Sequence, residues 1–367
     1  MKETIFVTQP YLPPLEDFIP YLEEIWKNKI LTNGGPLHLE LEKQLANYLN
    51  VPFVVLFNNG TSALITAIQA FGFKKGKILT TAYSFVATAH SIIWNHLEPI
   101  FVDISEDSPN ISPEEIESKI TFDTVAILGV HCYGIPCDLE KIEKIAKKHN
   151  LKIIYDAAHA FGVNIGAQSV LSYGDISIVS FHATKVFNTF EGGAVICHDE
   201  KMKKKLIELK NFGIVDEHNV NEIALNSKMS EIHAAMGLLQ LKSFNQVVIA
   251  RKRVDEFYRN SLVDVQGIEC LARGNVQQDN YAYFPIKVMN NFKVNRDELY
   301  ELLKSKNIIT RKYFHPLITE FNVYSDFNTE TPNAKILSES VLCLPIYPNL
   351  DLKICNDIIN LIKSFNE

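Results

Sequence analysis

Phe53-Val-Val-Leu-Phe57-Asn-Asn-Gly60-Thr-Ser62-Ala63-Leu-Ile-Thr-Ala-Ile-Gln-Ala70 reads as a single structural step. The apolar run to Phe57 is a strand, the small polar residues 58–62 make a turn, and the residues from Ala63 onward form a helix. The step recurs. Ile78-Leu-Thr80, Pro99-Ile-Phe-Val102, Val125-Ala-Ile-Leu128 and Lys152-Ile-Ile-Tyr155 read as strands. Helical patterns separate them at residues 84–94, 113–119 and 139–148. Strands alternating with helices over this span predict an α/β fold with a mostly parallel central sheet flanked by helices. In such a sheet, ligands belong at the carboxyl ends of the strands.

Further along, Gly174-Asp-Ile-Ser-Ile-Val-Ser180 is another strand, followed by Phe181-His-Ala-Thr-Lys185, the glycine pair Gly192-Gly193 and a second apolar run, Ala194-Val-Ile-Cys197. A lysine in a turn between two buried strands is desolvated, which lowers its pKa and makes its amine a nucleophile. The alternative is a loop lysine that snorkels to water. Two more places carry chemistry of the same kind. At Gly60-Thr61-Ser62 a helix N-terminus meets hydroxyls, which suits an anion, although an ordinary capped turn has the same composition. Asp156 follows a buried strand, where a carboxylate is costly unless it meets a cation or donors; capping the next helix is the other use of an aspartate there. No Gly-x-x-x-x-Gly-Lys or Gly-x-Gly-x-x-Gly spacing occurs, so neither a Walker loop nor a nicotinamide fingerprint is present.

In the other direction, residues 1–35 form a proline- and aromatic-rich arm, helical from about Leu15 to Lys29 and ending in the turn Thr32-Asn-Gly-Gly35. An arm of this kind usually packs on something else, often a partner subunit. Leu37, Leu39, Leu41, Leu45 and Leu49 mark the next helix. Beyond residue 240 the pattern changes to a long helix at 243–261, a strand-like Asn280-Tyr-Ala-Tyr-Phe-Pro-Ile-Lys287, a helix at 296–305, a strand approached by Lys306-Asn-Ile-Ile-Thr310, and a closing helix at 352–365. This predicts a large domain at 1–240 and a smaller C-terminal α/β domain at 241–367.

Composition narrows the function. The chain has 367 residues and a net charge of −7, so nothing favours nucleic acid. No apolar run reaches membrane-spanning length and none near the start has signal-peptide length, which predicts a cytoplasmic protein that does not enter the membrane. The six cysteines are scattered in apolar runs, as expected for reduced buried thiols, and His131, Cys132 and Cys137 lack zinc spacing, so no metal is expected.

A phosphate-type turn (Gly60, Thr61, Ser62), an aromatic (Phe85), a buried acid (Asp156), a small hydroxyl (Ser180) and a lysine (Lys185) together match the needs of pyridoxal 5′-phosphate. Its phosphate wants the helix N-terminus, its ring a flat apolar face, its pyridine nitrogen a carboxylate, and its aldehyde a lysine. At this point the sequence resembles the fold-type-I, PLP-dependent sugar-nucleotide aminotransferases of the DegT/StrS type. The likeness runs through Asn59-Gly-Thr-Ser-Ala63, Ser84-Phe-Val-Ala-Thr88, Pro99-Ile-Phe-Val-Asp103, His131-Cys-Tyr-Gly-Ile-Pro136, Asp156-Ala-Ala-His-Ala160 and Ser180-Phe-His-Ala-Thr-Lys185. It continues through Glu191-Gly-Gly193, Asn226-Ser-Lys-Met-Ser-Glu-Ile-His-Ala-Ala-Met-Gly237 and Cys343-Leu-Pro-Ile-Tyr-Pro348.

The resemblance implies that Lys185 forms the internal aldimine, Asp156 pairs with the pyridine nitrogen, Phe85 stacks on the ring and His159 lies near the ring or its phenolic oxygen. Gly60, Thr61, Ser62 and Ser180 are then the phosphate ligands. Asn226 matches the asparagine that in relatives reaches the neighbouring subunit's phosphate, which implies a homodimer with a shared active site. The implied reaction is a ping-pong exchange in which L-glutamate leaves as 2-oxoglutarate, pyridoxamine 5′-phosphate is the carrier, and a nucleotide-linked keto sugar receives the amine. Val7-Thr-Gln-Pro-Tyr-Leu-Pro-Pro14 and Thr310-Arg-Lys-Tyr-Phe-His-Pro316 resemble the branch acting at C4 of dTDP-4-keto-6-deoxy-D-glucose. Substrate contacts are then expected from Thr32, Tyr313 and His315, with Arg311 or Lys312 near the diphosphate; for the last two, plain surface charge is the alternative. A 3-aminotransferase, a UDP-linked 4-aminotransferase, a PLP sugar dehydratase and a non-catalytic sugar-binding regulator remain as other readings. Lys185 counts against the dehydratase, whose relatives carry histidine there. An amino sugar of this type enters an O-antigen lipopolysaccharide, a capsule, a protein glycan or a small-molecule glycoside.

Overall fold

β-Branched and aromatic runs alternate with amphipathic helices along the first two hundred residues, and in the computed structural model the strands gather into one seven-stranded sheet. Residues 4–327 and 329–366 are described. Residues 1–3 of the expected arm, and residues 328 and 367 of the expected C-terminal domain, lie outside the described residues.

The seven strands are β1 (Phe53–Phe57), β2 (Lys77–Thr81), β3 (Glu98–Val102), β4 (Thr124–Val130), β5 (Lys152–Asp156), β6 (Ile176–Ser180) and β7 (Gly193–Cys197). They lie side by side in the order β3-β2-β4-β5-β6-β7-β1. All neighbouring pairs are parallel except those made by β7, which runs antiparallel to both β6 and β1. The period of two along each strand splits the side chains between the faces. Val55, Phe57, Ile178 and Val195 enter one core with Leu64 and Ile68 of the helix Gly60–Ala70. Val54, Leu56, Val179 and Ile196 enter the other with Leu41 and Leu45, against Ala234 and Leu238 of the long helix Glu231–Leu262. Helices on both faces explain why the strands are apolar throughout.

Register places the chemistry. Val130 pairs with Asp156, Asp156 with Ile178, and Gly193 with both Ser180 and Phe57. The carboxyl ends of β1, β4, β5 and β6 therefore share one edge. Gly193 has no room for a side chain there: an added Cβ lies 2.7 Å from the carbonyl carbon of Asn59 and 2.7 Å from the nitrogen of Gly60. Gly193→Ala is expected to push the 58–60 turn outward and cost about 1–3 kcal/mol of stability, measured by chemical denaturation; wild-type stability would contradict this packing.

A three-stranded antiparallel sheet (Ile268–Cys270, Phe284–Val288 and Val341–Leu344) lies downstream. It packs a core of its own with Tyr258 and Leu262 of the long helix, Leu299 of the helix Arg296–Ser305 and Ile358 of the helix Leu352–Ser364. Ile5–Phe6 adds in parallel to Ile308–Ile309, tying the beginning of the chain to this region.

The long helix starts at Glu231, well before the 243 expected, and runs unbroken past residue 240. Gly237 sits inside it because an added Cβ would be 2.6 Å from Leu41. The Glu231 carboxylate accepts from the main-chain nitrogens of Leu37 (3.0 Å) and His38 (2.8 Å), capping the helix Pro36–Leu49. The strand expected from Asn280 begins only at Phe284, since Tyr281 has a positive φ of 53° and the Asn280 amide donates to the carbonyls of His159 and Phe161. The expected helix from 84 begins at Ala87. All six cysteines are unpaired. No helix among the described residues is long and apolar enough to cross a membrane.

Candidate active site

A cavity of about 390 Å³ opens at the carboxyl edge of the sheet. Its floor is built by strand ends and the turns that follow them. Asn59 caps the helix Gly60–Ala70 by accepting from the Ser62 nitrogen at 2.8 Å. That leaves the first N–H groups of the helix, at Gly60 and Thr61, facing the cavity without an intrahelical acceptor. With the dipole behind them, these groups favour an anion. Gly60 is required by its neighbour: an added Cβ lies 3.0 Å from Cβ of Ser180.

Asp156 ends β5 and is buried. One carboxylate oxygen accepts from the Thr88 hydroxyl at 2.8 Å, and the other from the Ala158 nitrogen at 3.2 Å. Thr88 is itself 2.8 Å from the Ser84 hydroxyl. Burial pushes the Asp156 carboxyl above its usual range, while the two donors and the Lys185 charge oppose that shift. The carboxylate is thus held rigidly with no permanent cation bonded to it, which suits a protonated ring nitrogen facing it.

Lys185 lies in the turn after β6, its main-chain nitrogen donating to the His182 carbonyl at 2.8 Å. Phe181 and Phe187 flank it in sequence and are buried in the second core, so the backbone is anchored while the amine faces the cavity. Burial lowers the Lys185 pKa to about 8, partly offset by Asp156. In protein freed of any bound carbonyl compound, a small electrophile is therefore expected to react with Lys185 with a midpoint near pH 8. The neutral amine is the nucleophile, so the rate rises through that pH. A midpoint at an ordinary lysine value, read by mass spectrometry of the labelled peptide, would contradict the desolvated site.

His159 lines the same cavity. Its Nδ1 accepts from the Tyr133 nitrogen at 3.1 Å, so the proton of the neutral ring sits on Nε2. Burial first, and then Lys185, hold its pKa well below the usual range.

The structure brings Gly60, Thr61, Phe85, Asp156, His159, Ser180, Lys185 and Tyr313 into this one cavity. Phe85 stands at the rim, 61% exposed. Tyr313 also faces an adjoining cleft with Arg311, Lys312 and His315. There Lys312 is engaged by Asp297 at 2.5 Å and lies over the Tyr300 ring, and His315 Nδ1 contacts the Ser338 hydroxyl at 3.1 Å. Three residues stand apart from the cavity lining. The Ser62 hydroxyl turns to Asn58 Oδ1 at 2.6 Å, Thr32 is half-buried in its turn, and Asn226 is exposed and pairs through its backbone with Asn211.

Sequence reasoning assigned no role to three groups that shape the site. Thr88 was visible inside Ser84-Phe-Val-Ala-Thr88, one helical turn beyond Ser84, the spacing that puts both hydroxyls on one face. Tyr283 has its hydroxyl 3.4 Å from the Lys185 amine and its ring 4.7 Å from that of His159. Phe314 stacks parallel to His159. The last two come from the C-terminal half, and no local pattern links them to the sheet edge.

A profile of the DegT/DnrJ/EryC1/StrS aminotransferase family matches residues 15–363. The chain is 52% identical over 365 residues to a dTDP-4-amino-4,6-dideoxy-D-glucose transaminase of Shigella dysenteriae, covering 99% of both chains. It is 49% identical to an Escherichia coli protein of the same name, covering 98% of both. Among solved structures, DesI in the presence of its TDP-sugar product superposes with a TM-score of 0.95 at 31% identity, over 99% of this chain and 93% of that one. Helicobacter pylori PseC, an aminotransferase, superposes with a TM-score of 0.93 at 27% identity, over 99% of both.

Proposed function

We propose, for a chain that belongs to the DegT/DnrJ/EryC1/StrS aminotransferase family, that it transfers the amino group of L-glutamate to C4 of dTDP-4-keto-6-deoxy-D-glucose, giving dTDP-4-amino-4,6-dideoxy-D-glucose. The observation that carries the reaction class is the meeting of Lys185, Asp156 and the Gly60–Thr61 helix start in one cavity. Support for the sugar comes from full-length identity to the two transaminases named above, which exceeds the 31% shared with a GDP-perosamine synthase of Escherichia coli.

Pyridoxal 5′-phosphate fits the residues present. Gly60, Thr61 and Ser180 would hold its phosphate; Ser62, with its nitrogen on Asn59 and its hydroxyl on Asn58, would join them by turning that hydroxyl away from Asn58. Asp156 would face its ring nitrogen, Phe85 and His159 its ring, and Lys185 its aldehyde. When bound, the cofactor supplies the electron sink that makes a C–H bond beside the transferred nitrogen acidic.

The chain's own residues do the rest. The Lys185 amine, with its pKa at about 8, exists at neutral to mildly alkaline pH in both protonation states. It takes the proton from Cα of glutamate and, in the return half, delivers one to C4 of the sugar, so that 2-oxoglutarate and the amino sugar leave. Asp156, held by Thr88 and Ala158, keeps its charge aimed at one point throughout, which removes the cost of reorganising water there. Tyr313, His315 and Arg311 would form the sugar and diphosphate side, with Lys312 held back by Asp297. Thr32 would contact substrate from the arm.

The working form would be a cytoplasmic homodimer. Asn226 is exposed and outside its own cavity, as a residue serving a partner's phosphate must be. Leu15, Ile19, Trp26 and Leu31 leave an apolar arm surface for that partner. The product is a nucleotide-activated amino sugar, suited to glycosyl transfer in deoxysugar assembly such as O-antigen lipopolysaccharide.

Incubation with L-glutamate and a panel of nucleotide keto sugars, followed by NMR of the product, tests the proposal. An equatorial amine at C4 of the dTDP sugar is expected; an amine at C3, an axial amine, or preference for a UDP- or GDP-linked ketone would overturn it.

A further inference from the structure

Two fully buried tyrosines lie under the cavity wall. Tyr83 follows the end of β2 and Tyr133 follows the end of β4, so both belong to the sheet edge. Their hydroxyls are 2.5 Å apart, and both reach the main-chain carbonyl of Tyr313, Tyr83 at 2.8 Å and Tyr133 in a shorter contact. Three oxygens thus meet with only two protons among them. One hydroxyl donates to the other, and that one donates to the carbonyl. Ionisation of either phenol would leave the carbonyl facing a charge; burial prevents it by pushing both pKa values far above the ordinary tyrosine range.

The carbonyl they hold belongs to the segment 311–316, which crosses from the C-terminal region to the cavity. Its flanking main-chain anchors are Arg311 to Cys343 on one side and Ile318 to Ala82 on the other. Between these, the Tyr313 carbonyl is held by the two hydroxyls, while the Phe314 ring packs edge-on against Tyr83 and parallel to Tyr133. Tyr133 has a second attachment, because its nitrogen donates to His159. One residue therefore touches the floor of the site through its backbone and the wall through its side chain.

We propose that Tyr83 and Tyr133 are positioning residues for the nucleotide-sugar half of the reaction: their paired hydroxyls fix the Tyr313 carbonyl, and with it the Tyr313 ring where cavity and adjoining cleft meet. This rests on the substrate reading above. The amino donor needs Lys185 and Asp156, which neither hydroxyl touches, so the device acts on sugar binding and not on the glutamate half-reaction.

The test is a double-mutant cycle of Tyr83→Phe and Tyr133→Phe in the full-length, cofactor-loaded protein. The probe is dTDP-glucose, which carries neither ketone nor amine, titrated by calorimetry. The rate of the glutamate half-reaction is followed separately by absorbance. Either hydroxyl alone still reaches the carbonyl, so each single variant is expected to bind about two- to fivefold more weakly. Removing both strands a buried carbonyl, so the double variant is expected to lose about 50-fold or more, beyond the product of the singles. The glutamate rate stays within about twofold, the split that a general loss of packing would not produce. Undiminished affinity in the double variant, or a parallel fall in the glutamate rate, overturns the inference. If the double variant does not fold, Tyr133→Phe alone decides, and unchanged affinity overturns it. Wild-type protein that accepts glutamate's amine but does not bind dTDP-glucose overturns the substrate reading and this inference together.

Discussion

Lys185→Ala is expected to lower steady-state turnover by about 10⁴-fold or more, because in the proposed reaction one amine would both hold the cofactor and move the proton. Alanine leaves the fold intact: the neighbouring anchors Phe181 and Phe187 stay buried, and the turn is held by main-chain bonds, Phe181 donating to Gly192 and accepting from Thr189. Coupled release of 2-oxoglutarate measures the effect. The other lysines near the sheet edge cannot take over. Lys210 is committed to Glu42 and the Leu56 carbonyl, and Lys228 to Asn211 Oδ1. Turnover of the variant within about tenfold of wild type, without added amine, would remove Lys185 from the mechanism.

Asp156→Asn carries the second large effect. Asparagine keeps the shape, its oxygen can still accept from Ala158, and its NH2 can donate to Thr88 once that hydroxyl turns, so the charge is the main loss. Loss of a preorganised charge at the point where the transition state needs it is expected to cost roughly 10²–10³-fold in turnover. A second readout moves the other way. The Asp156 charge raises the Lys185 pKa against burial, so its removal lowers that pKa below about 8. At neutral pH more of the amine is then neutral, and Lys185 in cofactor-free protein reacts faster with a small electrophile. Activity falling while lysine reactivity rises separates an electrostatic role from damage to the fold; both falling together would favour damage.

The sheet was legible because each strand is an apolar run of the right length bounded by turn residues, and all seven runs were found. The direction of β7 was not, since a local pattern carries no sign of whether its partners run with it or against it. Lys185 and Asp156 stood out because a charge at the end of an apolar run is costly without a purpose. Within the helix start, the engagement of the Ser62 hydroxyl by Asn58 is a contact that the turn composition alone does not announce. The long helix reads shorter in the sequence because its first turns carry Met236 and Gly237 in place of a clear amphipathic spacing. Burial on several sides erases the polar stripe that marks a surface helix. Tyr133 and Tyr313 are 180 positions apart, and Lys185 and Tyr283 are 98. Contacts at that separation are set by how the C-terminal region docks on the sheet edge, which no local spacing encodes.

The measurement that goes most directly to the account is borohydride reduction of the protein loaded with pyridoxal 5′-phosphate, followed by peptide mass spectrometry. Reduction makes a lysine–cofactor linkage permanent. A phosphopyridoxyl group on Lys185, removed by prior addition of L-glutamate, is the predicted result. A group carried by Lys210, Lys228 or any other lysine, or a linkage on Lys185 that glutamate leaves untouched, would contradict the assignment of this cavity as the site of amino transfer.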